Sequence, residues 1–299
     1  MKITHLFKQL KSYHLVLQFV VLPLILVVVF YFKPRIDFTN IPTLFNLVFW
    51  IGISLMPLNW LLEFLKWKLI LRTLNLSQLQ EKMSFASGII SEFLIPGIPS
   101  NFIGRIFFFE KKDRVKLSTW IQIGNLSQFG ITLFFGICSM VYLNFTISTN
   151  SLYFIVILAL VMVIFLVLNK LKIINFPEEI RNLSLKKSDI KPIVILVFLG
   201  LLRFLVFSLQ FGLILHSFSI TFDFQLFTYI WISYLFVSFS PSLFLGNLVI
   251  RESVIVSVFQ LGNYPIFPVL YGAFFIWLVN NFIPVCFAWC YITFFKKSE

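Results

Sequence analysis

Three arginines stand where a largely apolar chain tolerates charge least. Arg203 lies in LGLLRFLVFSLQFGLIL, near the middle of an apolar run from Pro192 to Leu215. An arginine at the centre of a membrane helix costs roughly 2.5 to 3.5 kcal/mol on insertion scales, so it needs an acid, a polar cavity or an anionic ligand. Gln210, two turns on, shares its face. Two readings of Arg203 stay open: an ion pair with a membrane acid such as Glu63 or Glu92, or a cation facing the cavity of an anionic head group. Arg105 closes SEFLIPGIPSNFIGR directly after Gly104, and Arg251 follows Gly246 in SPSLFLGNLVIRES. Glycine lets backbone amides approach a ligand, a helix start offers free N–H groups, and the guanidinium fork matches phosphate. Arg105 reads equally well as a cytoplasmic topology charge. Arg251, followed by Glu252, lies on a side with few other basic residues.

Polar residues on the apolar runs extend the candidate set. Ser118, Gln122, Asn125 and Thr132 recur at helical spacing with Gln128 close by, and Asn280 and Asn281 sit in the last run. Such residues form interhelical hydrogen bonds or line a polar path. The set expected to meet an anionic head group is Arg105, Arg203, Arg251, Glu252, Gln210 and Asn125. Pro96, Gly97, Pro99, Gly104, Pro241 and Gly246 are expected to shape the loops around it. Catalytic constellations are missing: His5, His14 and His216 lie far apart, and there is no HExxH, nucleophile elbow or phosphate-cradling loop. Cys138, Cys286 and Cys290 form no disulfide framework and have no acidic or histidine neighbour, so they are expected to be small packing residues. The expectation is a protein that is not an enzyme and uses no metal or cofactor.

The elements that must position these residues follow from composition. Of 299 residues 59% are hydrophobic and 12% charged, against about 25% charged in soluble domains. Alternating strand-length segments are absent, so the expected class is an all-α integral membrane protein. The net charge of +12 is split into short clusters between apolar runs, which reads as topology and not as a nucleic-acid-binding face. Apolar runs predict six spans, near residues 15–32, 43–71, 117–143, 152–169, 192–215 and 266–294.

Two apolar segments remain, 83–109 and 223–261, each interrupted by Pro and Gly. A broken helix would leave backbone groups unpaired in lipid, so each is expected to be a re-entrant helical hairpin. With both termini in the cytoplasm, a cytoplasmic-side hairpin at 83–109 and an outer-side hairpin at 223–261 keep the basic clusters inside: Lys66, Lys68, Arg72 and Lys82, then Lys111, Lys112, Arg114 and Lys116, and the 170–191 loop. The single membrane domain, 1–299, then contains two halves, 43–143 and 192–294, each a span, a hairpin and a span. Together they make an inverted repeat of the kind found in secondary transporters.

In this order and spacing, NWLLEFLKWKLIL, LIPGIPSNFIGR, LLRFLVFSLQF, SPSLFLGNLVIRESVIVSVF and IWLVNNFIP resemble the flippase-like membrane domain of lysylphosphatidylglycerol synthases and of stand-alone bacterial and archaeal relatives. The resemblance covers most of the chain. It implies a bacterial cytoplasmic (inner) membrane protein that moves phospholipid or polyprenyl-phosphate-linked lipid between two re-entrant hairpins. By position it places the first motif on Pro96, Gly97 and Arg105 and the second on Arg251 and Glu252. Ser100 and Asn101 stand where the family often has Gly-Glu, and Asn125 and Gln128 replace charged residues. With no counterpart of the soluble aminoacyl-transferring domain in this chain, lipid aminoacylation is not expected. The expected partners are membrane lipids with an anionic head group; a membrane-protein partner or a second copy of the chain is a further one. The alternative is an accessory membrane protein that moves nothing and docks a lipid-processing or glycan-export partner. A membrane transferase would need an acid, base or metal cluster that the sequence does not display.

This topology is checked with single cysteines in a cysteine-free background. Asn150→Cys is expected to react with an impermeant maleimide from outside, and Ser184→Cys only after permeabilisation; the reverse labelling would overturn the charge reading.

Overall fold

The computed structural model describes residues 46–76, 80–94, 100–143, 189–240 and 248–295. The expected spans at 15–32 and 152–169, most of the 170–191 loop, and the loop residues Pro96, Gly97, Pro99, Pro241 and Gly246 lie outside them. Among the described residues the structure is helical, without strands. In chain order the helices are α1 (Leu47–Ser54), α2 (Met56–Thr73), α3 (Glu81–Leu94), α4 (Ser100–Ile106), α5 (Lys111–Tyr142), α6 (Ile190–Ser217), α7 (Phe224–Phe239), α8 (Leu248–Leu261) and α9 (Ile266–Trp277). A π turn, Leu278–Phe282, then leads into α10 (Ile283–Phe295).

Four segments are long and apolar enough to cross a membrane: Leu47–Thr73, Lys111–Tyr142, Ile190–Ser217 and Ile266–Phe294. They fall on four of the six expected spans. Proline interrupts two of them. Pro57, near the start of α2, cannot donate to the helix ladder, and the run breaks at Leu55 between α1 and α2. The π turn precedes Pro284 and is closed by an N–H from Ile283 to the carbonyl of Leu278, the wider bonding that suits a missing donor.

Helix ends are written in the sequence. Asn46 caps α1 by accepting from the Val48 N–H at 3.2 Å, and Asp223 caps α7 by accepting from the Leu226 N–H at 2.7 Å. Helices α2, α6 and α8 end alike. A residue of positive φ (Asn75, 53°; Ser219, 67°; Asn263, 58°) lets the following N–H reach back into the helix, from Leu76 to Leu71, Ile220 to Leu215 and Tyr264 to Phe259.

The packing has a two-fold character. α3 packs on α4 and on α10 of the other half, and α7 packs on α8 and on α5 of the other half. Helix α6 lies along α1 and α2, so the first spans of the two halves meet. Apolar side chains fill the spaces between: Trp67, Leu71, Leu117, Trp120, Ile121 and Leu196 belong to one core, and Phe93, Trp277, Val285 and Ala288 to another. Cys138, Cys286 and Cys290 are exposed, which corrects the expectation that they pack inside. Cys286 and Cys290 lie one turn apart on an outward surface with the exposed Phe287, as a helix facing lipid permits.

The arms α3 and α4 approach closely at Gly104, where an added Cβ would collide with the Ser87 carbonyl oxygen and lie 2.5 Å from Ser91 Oγ. The Gly104 N–H donates to Ser91 Oγ at 3.2 Å, fixing the approach. Because the obstacle includes backbone, it cannot simply rotate aside. Gly104→Ala is expected to lower stability by about 1–3 kcal/mol, read as a fall in melting temperature in detergent; an unchanged melting temperature would show that the arms do not meet there.

Candidate functional site

Helix α2 places Asn59, Glu63 and Lys66 along one face, at the spacing that lines side chains up on a helix. All three are buried. A carboxylate there is stable only if its charge is met and its lone pairs are filled. Glu63 receives three cations. Its Oε2 lies 2.8 Å from Arg203 Nη1 and 3.1 Å from Lys66 Nζ, and its Oε1 lies 3.1 Å from Arg105 Nη2. One carboxylate of the first span thus holds the first pair of arms through α4 and the second half through α6.

Neutral groups extend the cluster. Gln128 Oε1 of α5 accepts from Lys66 Nζ at 3.0 Å and from Arg203 Nη1 at 3.1 Å. Asn59 Oδ1 accepts from Arg203 Nε at 3.1 Å, and Asn59 Nδ2 donates to Asn280 Oδ1 at 2.9 Å. Asn280 Nδ2 then donates to Gln210 Oε1 at 2.8 Å. The chain from Gln128 to Gln210 therefore runs across α5, α2, α6 and the π turn. Asn59 and Asn280 each lie near a proline, Pro57 and Pro284, so the two interrupted spans join where their ladders are interrupted.

Aromatic rings complete the surroundings. The Arg105 guanidinium lies 5.2 Å from the Trp67 ring centre and 5.1 Å from that of Phe85, and Arg203 lies 6.0 Å from Trp60. Gly88 gives Arg105 its room, since a Cβ there would sit 2.6 Å from the arginine Cγ. Burial is uneven. Arg105 and Lys66 side chains are 3% and 4% exposed, whereas Arg203 is 22% exposed and presents the cluster's open face. Glu92, on α3, is exposed and interacts electrostatically with Arg203, Arg105 and Lys66, yet makes no ion pair within 4.0 Å among the described residues. Counting both acids, three cations face two carboxylates among the described residues, so one formal positive charge is left over.

A second arginine site lies on the other pair of arms. Arg251 of α8 stands 5.4 Å from the Phe207 ring centre, and Tyr234 Oη donates to the Phe207 carbonyl at 3.2 Å. Among the described residues, Arg251 Nε and Glu252 Oε1 are buried without hydrogen-bond partners.

The structure brings Arg105, Arg203 and Gln210 of the expected set into one network, with Arg203 as a partner of Glu63. Arg251 and Glu252 stand apart from it on α8. Asn125 is half-buried one turn before Gln128 and takes no part in the network. Of the two readings of Arg105, burial against Glu63 sets aside the surface topology charge, and the expectation for Lys66, counted among the cytoplasmic loop charges, is corrected because it too is buried against Glu63. Of the residues expected to bond between helices, Gln128 and Asn280 reach across, whereas Ser118 and Thr132 donate to carbonyls of their own helix. Asn59 is a member that the sequence reading misses; the i, i+4, i+7 spacing of Asn59, Glu63 and Lys66 is its signal. Among the described residues no group of three or more His, Cys, Asp or Glu side chains could hold a metal ion. Comparison with protein-family models, curated proteins and solved structures finds no match to this chain.

Removing the hub is expected to be costly. Glu63→Ala leaves three cations without their counter-charge and should destabilise the protein by about 3–5 kcal/mol, measured as loss of the folded fraction in a denaturant titration. A loss below about 1 kcal/mol, the scale of an exposed pair, would mean that water already screens the site.

Proposed function

We propose that this is a lipid-transporting, flippase-like protein of the bacterial inner membrane, which binds an anionic head group between two re-entrant hairpins and moves it across the bilayer. The observation that carries the reading is the surplus of positive charge held among apolar helices. Buried charge is retained where it is paired or where it serves a ligand or ion path, and here the pairing stops short of neutrality. Arg203, the cation of the cluster with an open face, and Arg251, on the opposite hairpin, are the groups that meet the head group in this reading. The exchange-symmetric packing of the two halves supports it as well, because related halves around a central polar site suit alternating access.

Reconstitution into liposomes with fluorescent phosphatidylglycerol and an impermeant quencher tests the proposal. The wild-type protein is expected to move label between leaflets, and Arg203→Ala with Arg251→Ala to slow that movement by about tenfold or more. Movement no faster than in protein-free liposomes would contradict transport and favour the accessory, docking alternative.

A further inference from the structure

The two arginines on the paired arms have matching seats and unequal partners. Arg105, on the second arm of the first pair, stands against Trp67 of its own half's first span, and Arg251, on the second arm of the second pair, stands against Phe207 of its own half's first span. Aligned on these rings, the residue one turn earlier on the span differs in sign. Before Trp67 it is Glu63, whose carboxylate pairs with Arg105 at 3.1 Å. Before Phe207 it is Arg203, which adds a second positive charge and is itself drawn to Glu63. The first half carries its own anion; the second carries a cation in its place.

We propose that a phosphate group docks against Arg251 above Phe207, taking in the second half the place that the Glu63 carboxylate takes against Arg105 in the first. This rests on the lipid reading above and sharpens it: the ligand chemistry is a phosphate ester, and its seat belongs to the second pair of arms. Arg251 makes no ion pair among the described residues, and its Nε, like that of Arg105, is buried without a hydrogen-bond partner, so what separates the two seats is the Glu63 carboxylate present at one of them; a guanidinium binds phosphate through parallel N–H donors. Glu252 does not fill this role, because among the described residues it makes no ion pair with Arg251 within 4.0 Å. Tyr234, bonded to the Phe207 carbonyl, closes the seat on the side of α7. Arg105 then belongs to the tie between the halves, with its anion built in, while Arg203 keeps its open face.

The test compares wild-type protein with Arg251→Met and Arg251→Lys in a non-ionic detergent. Each is titrated calorimetrically with dihexanoyl phosphatidate, with dihexanoylglycerol, which lacks the phosphate, and with inorganic phosphate. Phosphatidate is expected to bind the wild type about tenfold or more tighter than dihexanoylglycerol, and Arg251→Met to remove that advantage. Arg251→Lys should keep part of it, retaining charge without the planar fork. The melting temperature of unliganded Arg251→Met should equal or exceed that of the wild type, because an apolar side chain replaces a half-buried cation that makes no ion pair among the described residues. Phosphatidate binding unchanged in Arg251→Met, or a melting temperature several degrees lower, would overturn the seat while leaving the lipid reading intact. Inorganic phosphate bound as tightly as phosphatidate would support the seat and sink the lipid reading. No preference for phosphatidate over dihexanoylglycerol in the wild type would overturn the seat.

Discussion

One carboxylate in an apolar bundle governs the rest of this structure. Glu63 is buried with Lys66 and Arg105, and Arg203 reaches it from the other half. None of these charges is tolerable alone at that depth, so each makes the others' positions obligatory. The first span, the first pair of arms and the opening span of the second half are fixed to one another through two oxygens. Gln128, Asn59, Asn280 and Gln210 then fill further donors and acceptors, which carries the tie to α5 and to the π turn. Apolar packing between these helices gains little by leaving lipid, because lipid is equally apolar. Polar contacts and close steric fit, such as Gly104 against Ser87 and Ser91, therefore decide which helices meet.

The segments 43–143 and 192–294, expected as two halves, show parallel contacts with different chemistry. Each first span ends in the same reverse turn, at Asn75 and at Ser219, and each pair of arms sets an arginine over an aromatic ring of that span. Each last span packs on the other half's arms. What differs is the sign of the residue beside the ring. Beside it, one half's arginine is part of an ion pair, and the other's makes none among the described residues.

The class is legible in the sequence because hydropathy is local: four of the predicted spans coincide with helices long and apolar enough to cross a membrane. The interruptions by Pro and Gly fall between α3 and α4 and between α7 and α8, and the helices of each pair contact each other. Arg203 announces a partner by its cost in lipid, and Glu63 is among the acids that could supply it. Lys66 misleads for an instructive reason. Charge counting treats every lysine near a span end as a loop residue, whereas helix periodicity sets Lys66 one turn from Glu63 and turns it inward. Arg105 stays open between two readings for a related reason, since its burial depends on Gly88 and Phe85, which no local pattern links to it. Spacing can place Asn59 on the face of Glu63 and Lys66, but nothing in a single chain links it to Asn280, 221 residues away.

Among the described residues, the bond between Glu63 and Arg203 is a direct charge link between the first segment and the second. A double-mutant cycle with Glu63→Gln, Arg203→Gln and the double variant, followed by reversible unfolding in detergent, measures it. The predicted coupling is about 2 kcal/mol or more, with the double variant more stable than the two separate losses imply. Losses that simply add, giving a coupling near zero, would contradict the claim that this pair joins the halves.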